Sequence, residues 1–148
     1  MKKAALFIIV AALLSSCGVT TTSLYNWGST SGGVSPYESL SYLNYDKQTA
    51  ESICKLLVLY EDMTAHPGGS RNVPAPGICA EYGYLLMQPE VLQTFTENAT
   101  KAQLKVYEGQ DLATYFTEHG KEMFEKEMEY YPESATFIAP LLKKLSSK

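Results

Sequence analysis

Histidine and tryptophan are scarce in this chain, with two copies of the first and one of the second. His66 and His119 lie far apart and lack the paired spacing of zinc ligands. The chain also lacks a Gly-rich phosphate loop, a Gly-x-Ser-x-Gly nucleophile elbow and a catalytic Cys/His motif. We therefore expect no metal, no cofactor and no enzymatic activity.

Positive charge is scarce as well, since twelve Lys and Arg residues face sixteen Asp and Glu. Nucleic-acid binding depends on clustered Lys and Arg, so nucleic acid is not an expected partner. Long apolar runs are missing after the first residues, and Leu56 to Tyr60 is the longest later one. A run of that length is far too short to cross a bilayer.

The N-terminus has the pattern of a secretory signal. Lys2 and Lys3 precede an apolar run from Ala4 to Leu14, and Ser15 and Ser16 lead into Cys17. As a helix the run would span only about 16 Å, roughly half the hydrocarbon core of a bilayer. Residues 14–17 resemble the lipobox of bacterial lipoproteins, which implies cleavage before Cys17 and acyl chains on that residue. The alternative is an ordinary signal peptide that happens to precede a cysteine.

Residues 18–23 are small and polar and predict a tether behind the lipidated cysteine. Gly18 stands where an aspartate would favour inner-membrane retention, and the first acidic residue is Glu38. By resemblance to other lipoproteins, we expect attachment to membrane lipid through Cys17 at the periplasmic face of the outer membrane.

Residues 24–45 are rich in aromatics, among them Tyr25, Trp27, Tyr37 and Tyr42. Aromatic side chains bury large areas and keep a polar edge, so they suit either packing or partner binding. One interpretation is a non-helical segment that its aromatics hold against the domain. The other is an interaction surface formed by these four residues.

Helical periodicity begins in residues 46–65, where Ala50, Ile53, Leu57 and Tyr60 share one face and Asp46 is a candidate N-cap. A second helix is predicted near residues 76–88, with Pro76 in its first turn. Residues 89–107 predict a third helix, and Asp111 begins a fourth that runs to Tyr130. In the last stretch, Pro140 implies either a kink or a helix that begins near Ala139.

The second and fourth of these helices resemble the two helices of a tetratricopeptide repeat. Gly83 and Gly120 would be sites of close helix approach, Phe124 would fill the space between the helices, and Pro132 would be the closing proline. Pro132 follows Gly83 by about 25 residues more than the repeat allows, so the third helix would be an insertion. A lone repeat cannot bury its own face, and the first and last helices would therefore act as caps.

The resemblance extends further. Five short segments together resemble an uncharacterised family of small tetratricopeptide-like bacterial lipoproteins. They are the lipobox, Trp27-Gly28, Pro36 to Ser39, Gly83-Tyr84-Leu85 and Tyr131 to Ala135. Members of this family are often encoded beside a lipoprotein similar to the curli-secretion protein CsgG. The resemblance implies a non-enzymatic component of an envelope assembly, with a CsgG-like lipoprotein as a possible partner.

The prediction is thus an all-α fold of helical hairpins that resemble a tetratricopeptide repeat with an inserted helix, behind an extended aromatic-rich segment. Its divisions are the signal peptide (1–16), the lipidated tether (17–23), the aromatic segment (24–45) and the helical domain (46–148). Two details stay open. Cys54 and Cys79 are either two buried thiols, the default, or a disulfide. A run of acidic residues predicts a solvated helix face, and its members are Glu118, Glu122, Glu125, Glu127 and Glu129.

Three functions compete. The first is a lipid-anchored scaffold or interaction component of a cell-envelope assembly. The second is a module that binds cell-wall glycan or an extended peptide through Trp27 and its neighbouring tyrosines. The third is an enzyme that uses the acidic face, although no motif supports it.

Overall fold

The computed structural model describes residues 23–28 and 33–146. The signal peptide, Cys17 and the tether up to residue 22 lie outside these described residues. The described chain forms helices and no strand, which confirms the all-α prediction. The helices are α1 Pro36–Lys47, α2 Ala50–Ala65, α3 Ile78–Leu86, α4 Pro89–Asn98, α5 Lys101–Val106, α6 Leu112–Tyr130 and α7 Ala135–Leu145, with a 3-10 turn at Pro132–Ser134 before α7.

Helix α1 corrects the prediction of an extended segment, because residues 36–45 are helical. Its start has strong local signals: the Ser35 side chain accepts a hydrogen bond from the Glu38 N–H, and Pro36 occupies the first turn. The helix buries none of its residues completely, so it lacks the apolar periodicity that reveals a helix in sequence.

Helix α2 forms the centre of the core, and its Leu57 and Tyr60 are almost completely buried. Its N-cap is Thr49, whose side chain accepts from the Ser52 N–H, and the predicted N-cap Asp46 instead lies in α1. Only residues 48–49 separate α1 from α2, so Asp46 lies just before α2 although it belongs to α1. Gln48 adopts a left-handed conformation there, which ends α1 and turns the chain.

Helices α3 and α6 cross at two glycines. A Cβ atom on Gly83 would lie 2.7 Å from the carbonyl oxygen of Gly120 and 3.3 Å from the Phe124 ring. A Cβ atom on Gly120 would lie 3.2 Å from the carbonyl oxygen of Gly83. Small residues at such a crossing let two helix backbones approach closely. Phe124 is fully buried beside the crossing, whereas Pro132 is exposed at the start of the 3-10 turn.

Helix α3 begins at Ile78, two residues later than predicted, and Pro76 lies outside it. The reason is Gly77, whose φ of 89° belongs to the left-handed region and cannot continue a right-handed helix. The segment inserted between α3 and α6 is also divided, because two shorter helices, α4 and α5, replace the single helix expected over residues 89–107. Thr100 and Gln103 form a reciprocal capping box that starts α5.

Asp111 opens helix α6 as predicted, because it is the N-cap and its carboxylate accepts from the Thr114 N–H. Helix α7 starts before Pro140, so the alternative of a helix that begins near Ala139 is wrong. Pro140 removes one backbone hydrogen bond from α7 but leaves the apolar stripe around Ile138 facing α6.

The segment Ser23–Gly28, which we call the strap, lies against the loop between α2 and α3. Backbone hydrogen bonds join the Ser70 N–H to the Ser23 carbonyl and the Arg71 N–H to the Leu24 carbonyl. Across residues 23–28 and 33–146, no helix combines the length and apolar character that a membrane crossing requires.

Candidate functional site

A groove of about 420 Å³ lies among α1, α2, α3 and α4. Two helical faces form its walls, each with residues at the spacing i, i+3 and i+4 on one side of a helix, and a glutamine just beyond the helix end extends each wall. The first wall is Ser41, Asn44, Tyr45 and Gln48, and the second is Glu81, Tyr84, Leu85 and Gln88. The rest of the lining comes from α2 and α4, namely Ile53, Leu56, Tyr60, Glu90, Val91 and Thr94.

The rim of the groove carries two exposed aromatic rings. Tyr45 is 89 % exposed and Tyr84 is 45 % exposed, one on each wall. Side-chain amides from Asn44, Gln48 and Gln88 lie beside them. An amide offers both a donor and an acceptor, and an aromatic ring offers apolar area at low entropic cost. The groove therefore combines apolar contact with directional hydrogen bonding, as ligand sites do.

The floor of the groove is fixed by hydrogen bonds to Glu81. Its carboxylate accepts from the Tyr60 hydroxyl at 2.5 Å and from the Tyr37 hydroxyl at 3.0 Å. Burial, together with the Glu81 negative charge, raises the pKa of both phenols far above the usual value, so both remain donors. Of the described residues that line the groove, Glu81 and Glu90 are acidic and none is basic. The site thus has a negative potential.

A second tyrosine network, deeper in the domain, centres on Glu61. Its carboxylate accepts from the Tyr82 hydroxyl at 2.5 Å and from the Tyr115 hydroxyl at 3.1 Å. The Tyr82 and Tyr107 hydroxyls lie 3.1 Å apart, and Tyr107 also donates to the Leu57 carbonyl. These bonds join α2 to α3 and α6 at their buried surfaces, which indicates a stabilising role.

His119 borders this second network. Its Nδ1 lies 2.8 Å from a Glu122 carboxylate oxygen, and its ring stacks on Tyr115 with centroids 4.8 Å apart. Its Nε2 is buried without a hydrogen-bond partner, 3.6 Å from Glu61. His66, by contrast, is exposed beside Asp62 at the end of α2. In the described part of the chain, no three His, Cys, Asp or Glu side chains converge as metal ligands do.

Glu127 corrects the prediction of a wholly solvated acidic face, because it is only 3 % exposed. Its carboxylate accepts from the Gly77 N–H at 2.8 Å and the Ala80 N–H at 3.3 Å. The side chain thereby caps the N-terminus of α3, whose own N-cap residue is a glycine with no side chain. Burial raises the pKa of Glu127, although the backbone donors oppose that rise.

Three of the predicted interaction residues pack together. Tyr25 and Trp27 have ring centroids 6.3 Å apart, and Trp27 and Tyr37 are 5.5 Å apart. All three are half-buried against the core, whereas Tyr42 is 68 % exposed on α1. The remaining candidates have structural positions: Gly83, Gly120 and Phe124 at the helix crossing, and Pro132 at the turn before α7.

Of the two exposed groove tyrosines, Tyr45 lies in the predicted aromatic segment but not among its four named candidates, and Tyr84 lies outside that segment. The available signal was a mostly polar i, i+3, i+4, i+7 pattern, present in both residues 41–48 and 81–88. Read singly, each pattern looks like a solvated helix face, and only the fold shows that the two faces oppose each other.

Cys54 in α2 and Cys79 in α3 are buried free thiols. Burial raises the pKa of each, and for Cys79 to about 12. Neither thiol has the low pKa or the exposure of a nucleophile.

A larger cavity of about 680 Å³ lies along the outer side of α2, and its surface is mainly apolar. Leu40, Val58, Leu59 and Val106 provide most of its apolar lining. The smaller groove has the greater share of hydrogen-bonding groups and is the better candidate site.

A scan against protein-family models finds no match to this chain, and comparisons with curated proteins and with solved structures find none either.

Proposed function

We propose that the protein is a non-catalytic, lipid-anchored interaction component of a bacterial envelope assembly, and that the groove between α1 and α3 binds its partner. The observation that carries this proposal is the pair of opposed helical faces, with Tyr45 and Tyr84 exposed at the rim and amides beside them. Interface residues that bind strongly are often aromatic, and Tyr is prominent among them.

The charge of the groove favours a partner segment with basic side chains. Glu81 and Glu90 give the lining its negative charge, and the whole chain has a formal net charge of −4. An extended peptide could place its backbone amides against Asn44, Gln48 and Gln88 and a Lys or Arg near the carboxylates. The family resemblance favours a CsgG-like lipoprotein as the source of that segment, and a tetratricopeptide-like ancestry for the helices.

Three carboxylates that accept hydrogen bonds within the fold support binding over catalysis. Glu61, Glu81 and Glu127 each accept at least two hydrogen bonds from groups of the protein itself. Carboxylates held in this way position tyrosines and a helix end, and the tyrosines remain protonated donors.

Attachment through Cys17 is the second part of the proposal. Two or more acyl chains give stable membrane anchoring, and anchoring raises the effective concentration of the groove toward partners in the same membrane. We place the domain at the periplasmic face of the outer membrane. Cys17→Ala should leave the helical fold intact, release the protein from the membrane fraction and abolish function. A released, exported form that functions normally would contradict this role.

Site-specific photocrosslinking in intact cells tests the groove. A photoreactive amino acid at Tyr45 or Tyr84 should capture the same partner, and Glu90→Gln should weaken that capture. The matched control position is Phe137, which is 78 % exposed on α7 and does not line the groove. Equal capture from Phe137, or capture insensitive to Glu90→Gln, would argue against the groove as the partner site.

A cell-wall glycan is the second candidate ligand, because exposed tyrosines beside amide side chains can also bind sugar rings. Sedimentation with purified, protease-treated cell wall distinguishes the two ligands. Binding weakened by Tyr45→Ala would favour the glycan. If only Trp27→Ala weakens it, the aromatic cluster at the strap is responsible instead.

A further inference from the structure

Residues 23–26 of the strap are hydrogen-bonded to the end of α2 and the α2–α3 loop. Besides the two backbone bonds from Ser70 and Arg71, the Arg71 guanidinium donates to the Tyr25 hydroxyl at 2.8 Å. The Asn26 side-chain amide donates to the His66 carbonyl at 3.4 Å. The described contacts of this segment with the folded domain thus begin at Ser23, well before α1 begins.

The loop is shaped to receive the strap. Gly69 has a φ of 73°, and a Cβ atom there would lie 2.5 Å from the Leu24 carbonyl carbon and oxygen. Backbone atoms cannot move aside as a flexible side chain can, so any larger residue at position 69 would push the strap away. The backbone of the loop at Gly69 thus packs directly against the backbone of the strap at Leu24.

The length of chain between Cys17 and Ser23 limits how far the domain can lie from its anchor. This step depends on the proposed lipidation of Cys17. Six residues span at most about 20 Å when fully extended. A domain of this size has a diameter of about 35 Å, so the tether is too short for the domain to turn over.

Helix α2 sets the position of the groove relative to the strap. His66, which binds the strap, directly follows α2, whereas the groove residue Ile53 lies near its start. Thirteen residues separate the two, which corresponds to about 20 Å along the helix axis. Most of the groove lining therefore lies toward the end of α2 opposite His66, and Tyr60 and Glu81 form the end of the groove nearer the strap.

We infer that the strap and the loop Pro67–Arg71 form the surface that faces the phospholipid membrane, and that the groove opens away from it. Leu24 is 60 % exposed on this surface and Arg71 is exposed beside it. An apolar side chain next to a guanidinium suits the boundary between headgroups and acyl chains. The anchored domain then has a defined orientation, with its binding site directed toward the parts of membrane partners that extend above the bilayer.

Energy transfer to the membrane tests the orientation. The lipidated chain is purified with one added cysteine, Ser70→Cys or Tyr45→Cys, labelled with a donor dye and placed in vesicles of phosphatidylethanolamine and phosphatidylglycerol with acceptor-labelled headgroups. Cys54 and Cys79 are buried and should remain unlabelled. Transfer from position 70 should exceed transfer from position 45 several-fold. Equal transfer from both positions would overturn the inference.

Two variants test the role of the strap and its tether while the helical fold stays unchanged. Inserting about ten Gly and Ser residues between Gly18 and Thr22 leaves every described contact in place and should bring the two transfer efficiencies close together. Gly69→Ala should do the same by displacing the strap, provided that its helical circular dichroism is unchanged. A several-fold difference that survives the insertion would overturn the short tether as the cause of the orientation. Vesicle flotation is measured in parallel, and a chain that does not float would refute the lipid anchor itself.

Discussion

The crossing of α3 and α6 makes Gly83→Ala and Gly120→Ala an informative pair of substitutions. Both replace glycine by alanine inside a helix, which by itself stabilises the helix by about 1 kcal/mol. The two positions differ in what the new methyl group meets. At Gly83 the 2.7 Å contact is with a backbone carbonyl oxygen, whereas at Gly120 it is with the flexible Met87 side chain.

The expected magnitudes follow from these contacts. Gly83→Ala must push the helix backbones apart, and overpacking of this kind costs about 2–3 kcal/mol, which leaves a net destabilisation of about 1–2 kcal/mol. Gly120→Ala is relieved when Met87 moves, and its remaining contacts at 3.2 Å and 3.3 Å require only small shifts. Its strain of about 1 kcal/mol cancels the gain in helix propensity, so its net effect is near zero.

Urea unfolding, followed by circular dichroism at 222 nm, measures the difference. With a typical slope of about 2 kcal/mol per molar urea, the Gly83→Ala midpoint should fall by about 0.5–1 M and the Gly120→Ala midpoint should barely move. Equal midpoints for the two variants, or a stabilised Gly83→Ala, would refute the close backbone approach.

Three further measurements test other parts of the structure. Glu127→Gln should lower the free energy of unfolding, measured by thermal unfolding, by about 1–3 kcal/mol, because the amide can accept only one of the two backbone hydrogen bonds. The control Glu129→Gln, at an exposed position, should change it by less than about 0.5 kcal/mol. Equal effects of the two substitutions would contradict the capping role of Glu127. In a pH titration followed by absorbance at 295 nm, Tyr82 and its buried partners should stay un-ionised above pH 10, since burial raises the pKa of Tyr82 well above its usual value. The unfolded chain then loses protons first, so the domain should lose stability as the pH rises above 10, and a native titration like that of free tyrosine would contradict this. Cys54 and Cys79 should react with a thiol reagent at pH 8 much more slowly in the native domain than in urea, and rapid native reaction would show that their helices open readily.

The helices were predictable where one face is apolar or an end is capped. Helix α2 showed its buried face through Leu57 and Tyr60, and Asp111 marked the start of α6. Helix α1 was missed because it buries no residue completely, although Ser35 and Pro36 marked its start. The Thr100 capping box likewise divides a stretch whose apolar periodicity suggested a single helix.

The candidate site was harder to predict because its contacts join residues far apart in sequence. Glu61 accepts from Tyr82 and Tyr115, which lie 21 and 54 residues away. Glu127 caps a helix that begins about 50 residues earlier. A lone glutamate or tyrosine carries no local signal for such a bond, and the same residues in a solvated helix would look identical. The aromatic-rich composition around Trp27 could be seen in the sequence. The attachment of residues 23–26 to the α2–α3 loop could not.

Helix α1 forms one wall of the groove yet contributes no fully buried residue. Local opening free energies are lowest in elements that bury little apolar surface, so α1 should undergo sub-global opening while α2, α3 and α6 remain folded. Its amides would then exchange with deuterium before those of the core. A wall that can detach and return lets a partner enter from the side, and it allows one groove to close around segments of different width.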